Sequence, residues 1–146
     1  MKKFLFFLTI VAFASCSAGY HTIDGAALHA DEITAISQKL FAQGNDDWEL
    51  PFKAIDELEL TREEKKLLGR KLRYTEAMLV YDDMFKNGND SLVVFFHDPS
   101  IAHQHAILVD MKKIPRKRMP DGCERVTGRV YYSKSAGGLR TAKIFN

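Results

Sequence analysis

Hydrophobic and polar residues change rhythm several times along the chain. From Asp31 to Gly44 the apolar positions Ile33, Ile36, Leu40 and Phe41 recur at helical spacing. That pattern predicts an amphipathic helix whose apolar stripe needs a partner. Asp31 is placed to cap its first amides, and Gly44 to end it in a left-handed conformation. Residues 19–30 before it keep no sustained period and read as a lead-in. Pro51 suits the start of a further helical turn, because its missing amide would be unpaired there anyway. Phe52, Ile55 and Leu58 then lie beneath a face rich in acids.

Residues 61–86 carry two superimposed patterns. Thr61 and Glu64 have capping-box spacing, and Leu67, Leu68, Leu72, Met78, Leu79 and Phe85 fit one helical face. Gly69 argues against an unbroken helix, since glycine in a helix interior costs about 1 kcal/mol relative to alanine. Leu72, Tyr74, Met78 and Val80 also share the parity of a strand. The reading taken is a short helix to about Leu68, then a strand from Arg70 to Tyr81. The turn sequence KNGND (86–90) follows, and with apolar runs on either side it predicts a β-hairpin.

Three later stretches read as strands: Ser91 to His97, Ala106 to Met111, and the alternating Glu124 to Ser133. Lys134 to Gly138 forms a loop, and LRTAKIF (139–145) makes a final strand. Five antiparallel neighbours imply a small closed barrel, because closure removes exposed edges. The fold class is mainly β with N-terminal helices: a five-stranded antiparallel barrel over 66–146, preceded by a helical extension over 19–65 with one or two short helices.

The start of the chain adds a destination. Lys2 and Lys3 precede an apolar run from Phe4 to Ala14, about eleven residues long. Such a run is too short to span a bilayer and suits a secretory leader. Ala12-Phe13-Ala14 supplies a small-x-small cleavage pattern after residue 14, and Ala18 allows one as late as 18. Phe13-Ala14-Ser15-Cys16 alternatively reads as a lipobox with Cys16 acylated, Phe13 standing where leucine is usual. The protein is expected to be exported, to the periplasm or beyond, or held as an outer-membrane lipoprotein.

Charge changes the picture once the leader is removed. The chain has 21 basic and 19 acidic residues. Loss of Lys2 and Lys3 leaves equal numbers, so no global attraction to nucleic acid or anionic membrane is expected. The only membrane contact foreseen is a lipid on Cys16. Outside the cytoplasm Cys16 and Cys123 either pair, if both are retained, or leave Cys123 alone. No Gly-x-Ser-x-Gly elbow, His-Glu-x-x-His pair or phosphate-cradling glycine loop is present, and the chain reads as non-enzymatic without a cofactor.

Gly122, Val126, Gly128, Val130, Leu139, Ala142 and Ile144 follow a glycine–valine rhythm closing on an "L-x-A-x-x-I" ending. Over residues 66–146 this resembles the OB-fold, the oligonucleotide/oligosaccharide-binding barrel. The resemblance implies a closed five-stranded barrel that binds ligands on its strand surface and flanking loops. The connection from Met111 to Cys123 is short for the helix that often plugs such barrels, and Ile33, Ile36, Leu40 and Phe41 would take that place.

Two features carry candidate chemistry. KKIPRKR (112–118) places Lys112, Lys113, Arg116, Lys117 and Arg118 on one loop, where charge and forked guanidinium donors suit carboxylate, sulfate or phosphate groups. Arg129, Tyr131 and His97 would extend that surface, and the partner expected is an envelope protein or an anionic glycan. HDPSIAHQH (97–105) sets His103 and His105 on one side of an extended chain, able to hold zinc or copper if a third ligand such as His97, Asp98 or Asp110 converges. The alternatives are therefore a binding module, a metal-handling protein, and an immunity or inhibitor protein using the acidic 46–59 segment.

Overall fold

The structure, a computed structural model, describes residues 20–47, 52–81, 91–97, 105–117 and 123–134, with 20–22 and 45–47 as backbone only. Helices at the N-terminus precede an antiparallel sheet of six strands, and the fold is mainly β. Helix α1 spans Tyr20–Leu28 and α2 spans Ala30–Asp47. The lead-in expected over 19–30 is thus largely helical. The His29 amide bonds to the Gly25 carbonyl and the Ile33 amide to the His29 carbonyl, which carries the hydrogen-bond ladder across the joint.

Asp31 falls inside the first turn of α2 rather than capping it. Ile33, Ile36 and Leu40 are buried and Phe41 half-buried, as the helical spacing predicts. Gly44 does not end the helix. It lies within α2, buried, where a Cβ would meet the Tyr81 hydroxyl and a Leu79 methyl closer than 3.0 Å. Glycine is there for close approach, not for a turn.

Strand β1 (Phe52–Ala54) replaces the helical turn expected after Pro51, and a single 3₁₀ turn, Ile55–Glu57, follows it. Helix α3 (Arg62–Lys65) opens with the expected capping box: Glu64 N–H donates to the Thr61 hydroxyl, and its carboxylate accepts from the Thr61 amide. Lys39 reaches the same carboxylate at 3.0 Å and ties α2 to this cap. Burial pushes the Glu64 carboxyl up, but the Thr61 amide and Lys39 outweigh it and leave it below its ordinary value.

The backbone then widens into a π-helical segment, Lys66–Lys71, so the helix runs past Gly69 instead of stopping at Leu68. Arg73, at φ 59°, turns the chain in the left-handed region, and the Tyr74 amide returns to the Leu68 carbonyl. Strand β2 begins only at Glu76 and ends at Val80. Helix-then-strand holds, with the change about six residues later than expected.

Strands β3 (Leu92–Phe96) and β4 (Ala106–Asp110) match the continuous apolar runs, and β2 pairs with β3 as the hairpin pattern predicts. The alternating stretch 124–133 is not one strand. It is a hairpin of β5 (Cys123–Thr127) and β6 (Val130–Ser133) turning on Gly128 and Arg129, with Gly128 at φ 50°. A glycine with positive φ at the first central position is the mark of a two-residue hairpin turn.

The strand order is β1-β2-β3-β4-β6-β5, every neighbour antiparallel. Among the described residues the sheet is open, with six strands, so the expected closed five-stranded barrel is corrected in both respects. The final LRTAKIF strand lies outside the described residues, as does the leader. Two of the six were not expected as separate strands: β1, where a helical turn was expected, and the second arm made when the 124–133 stretch divides into β5 and β6. The three residues of β1 pair with Glu76–Met78 at one edge. At the other edge β5 exposes Glu124, Arg125 and Thr127.

Both faces of the central strands are buried, which is why their sequences are continuously apolar rather than alternating. One face, bearing Leu79, Phe95, Ile107 and Tyr132, packs against Ile33, Ile36 and Leu40 of α2 and Leu68. The helices thus cover one face of an open sheet, where a plug inside a closed barrel was expected. The other face gathers Met78, Val80, Leu92, Val94, Phe96 and Leu108. Among the described residues no helix is long and apolar enough to cross a membrane.

Candidate functional site

The loop leaving β4 is built around one buried carboxylate. Asp110 is fully buried and its oxygens accept from the Lys112 amide at 3.1 Å, the Arg116 amide at 2.7 Å and the Arg116 guanidinium at 3.0 Å. A carboxylate taken from water is stable only when paired and hydrogen-bonded in this way. The Arg116 side chain is itself only 9% exposed.

Two further arginines act on backbone carbonyls. Arg129 donates to the carbonyls of Asp110 at 3.1 Å and Lys112 at 2.7 Å. Arg125 donates to the carbonyls of Arg116 and Lys117, and its guanidinium lies 5.1 Å from the centre of the Tyr131 ring. The Tyr131 hydroxyl donates to the Arg116 carbonyl at 3.4 Å. Guanidinium forks satisfy carbonyls that a loop would otherwise leave to water, so residues 111–117 are held in one shape.

The expected surface residues therefore divide. Arg116, Arg129 and Tyr131 sit together with their polar atoms directed at the loop. Lys113 and Lys117 are exposed at its outer side, and Lys112 is half-buried with an interaction of its own. Between the two exposed lysines Ile114 is 82% exposed, one of two large apolar side chains so placed among the described residues. Arg118 lies outside the described residues.

The histidines lie elsewhere. His97 and His105 face each other across the end of β3 and β4, joined by the bond from the His97 amide to the His105 carbonyl at 3.0 Å. Both follow the parity of Phe95 and Ile107, which puts them on the helix-facing side. His105 Nδ1 meets the Tyr132 hydroxyl at 2.5 Å. His97 sits edge-on to Tyr74, ring centres 4.8 Å apart, and its Nε2 has no partner among the described residues. Burial, with neighbouring His105 second, lowers the His97 pKa to about 4, so the ring is neutral at physiological pH.

His103, Asp98 and Cys16 lie outside the described residues. Asp110 has opposite parity to His105 and is committed to Arg116. Among the described residues no three His, Cys, Asp or Glu side chains converge. Cys123 opens β5 opposite Ser133, where burial pushes its thiol up.

Sequence reasoning missed Tyr74, Arg125 and Tyr132 as members of these clusters. Only the β5–β6 turn at Gly128 could have found Arg125, since it folds 125 back beside Tyr131. No family profile, curated protein or solved structure matches the chain.

Proposed function

We propose that the protein is an exported, non-enzymatic binding module that engages a protein partner through the 112–117 loop. The partner would offer carboxylates around a small apolar pocket, with Lys113 and Lys117 meeting the former and Ile114 the latter. The observation that carries this reading is an exposed isoleucine on a loop braced by three arginines and a buried aspartate. Pre-ordering removes a cost that a floppy loop would incur on binding, and a single apolar anchor ringed by charge is how compact recognition sites are built. The isoleucine favours a protein over a glycan. Export rests on the leader pattern of residues 1–14.

The test compares capture of envelope proteins by immobilised wild type and by the triple variant Lys113→Ala, Ile114→Ser, Lys117→Ala. The reading requires a specific protein retained by wild type and lost by the variant, with equal melting temperatures. Retention by both removes the loop as the contact.

A further inference from the structure

A cleft of about 940 Å³ lies between the β1–3₁₀ segment and the helix running from Arg62 into the π-helical turn. Its volume falls in the range of small-molecule sites. Arg62, Lys65, Lys66 and Arg70 line it against Asp56 and Glu63, four cations to two acids. Lys65 is already committed, donating to the Asp56 carbonyl at 2.7 Å. Arg62, Lys66 and Arg70 are exposed and make no ion pair among the described residues. Lys66 and Arg70 both belong to the π-helical segment and line the same opening, and π-helical turns of this kind recur at functional sites.

The inner lining differs from the rim. Ile55 is buried and Leu60 half-buried, and both present apolar surface. Tyr74, only 2% exposed, also lines the cleft, and its hydroxyl has no partner among the described residues. A buried hydroxyl left unpaired has given up its hydrogen bonds to water without replacement, so this one calls for an acceptor. Burial holds the phenol well above its ordinary value, which keeps the proton on oxygen and available to donate. The left-handed turn at Arg73 and the Tyr74 amide bond to Leu68 fix the ring's place.

We propose that this cleft binds a small organic anion, its carboxylate or phosphate held by Arg62, Lys66 and Arg70, its apolar body on Ile55 and Leu60, and an acceptor at its far end bonded to the Tyr74 hydroxyl. The site is separate from the 112–117 loop and does not depend on that loop's role.

The experiment titrates the full chain with 4-hydroxybenzoate and with phenyl phosphate, following backbone amides by NMR. Saturable shifts confined to residues 54–75 are expected at millimolar ligand with at least one probe. Arg62→Ala, Lys66→Ala, Arg70→Ala together abolish them. Tyr74→Phe, which keeps the ring stacked on Phe95 with centres 5.4 Å apart, weakens 4-hydroxybenzoate about fivefold, as loss of one hydrogen bond implies. Failure of both probes to saturate, shifts centred elsewhere, unaltered affinity in the triple variant, or unaltered 4-hydroxybenzoate affinity in Tyr74→Phe would each overturn the proposal.

Discussion

Asp110 holds Arg116 by both ends: its carboxylate accepts from the Arg116 guanidinium at 3.0 Å and from the Arg116 amide at 2.7 Å. The strand end and the basic loop are therefore one unit. Replacing Asp110 with alanine leaves Arg116 and two loop amides without their acceptor. Loss of about 3–5 kcal/mol is expected, the range for breaking a buried pair, and urea unfolding measures it. A loss under about 1 kcal/mol would mean the loop does not depend on this carboxylate.

Removing loop cations has two distinct outcomes. Arg116→Ala strands a buried carboxylate and lowers the melting temperature. Lys113→Ala and Lys117→Ala touch exposed side chains and change stability by less than about 0.5 kcal/mol. Replacing every cation at once would confuse lost binding with lost folding, so binding comparisons belong to the lysines and Ile114. Thermal melts of the single variants check this.

Gly44→Ala sets two effects against each other. Alanine favours the helix by about 1 kcal/mol, yet its Cβ must displace both the Tyr81 ring and the buried Leu79 side chain. Overpacking of this kind costs about 1–3 kcal/mol. Because Tyr81 also packs on Phe41, with ring centres 4.8 Å apart, the clash wins and a net loss of about 1 kcal/mol is expected. A more stable variant would show that the two side chains yield freely.

His97 should give the fold a pH dependence. Its pKa falls from 6.5 to about 4 on folding, chiefly through burial. Between those values the unfolded chain binds the proton and the folded chain does not, so stability drops as pH falls from 6.5 towards 4 and levels below that. Above 6.5 both states are neutral and His97 contributes no slope. His97→Phe removes this proton uptake, and a shallower stability profile across the window is the outcome to measure by denaturant titration at successive pH values.

The elements most legible in the sequence were those whose local pattern admits one solution. Leu92–Phe96 and 106–109 are apolar on every residue because both sides of β3 and β4 are buried. The Thr61–Glu64 box stands as spaced. Elsewhere local and tertiary signals diverged. Gly69 looked like a break, but a π-helical turn accommodated it and delayed β2 to Glu76. Gly44 looked like a terminus because nothing in its neighbourhood reveals that Leu79 and Tyr81 will approach. Gly128 lay hidden in an alternating run whose period continues through the turn. Of the candidate surface, charge marked the loop, but only the fold separates the arginines that brace it from the lysines that face outward.

The sheet's two ends bear on how the protein behaves when crowded. Strand β1 offers three residues, and β5 lines its flank with Glu124, Arg125 and Thr127. Among the described residues these are the sheet's edge strands, and brevity in the one and charge in the other discourage extension of a cross-β ladder. The most apolar strands, β3 and β4, are shielded by neighbours on each side.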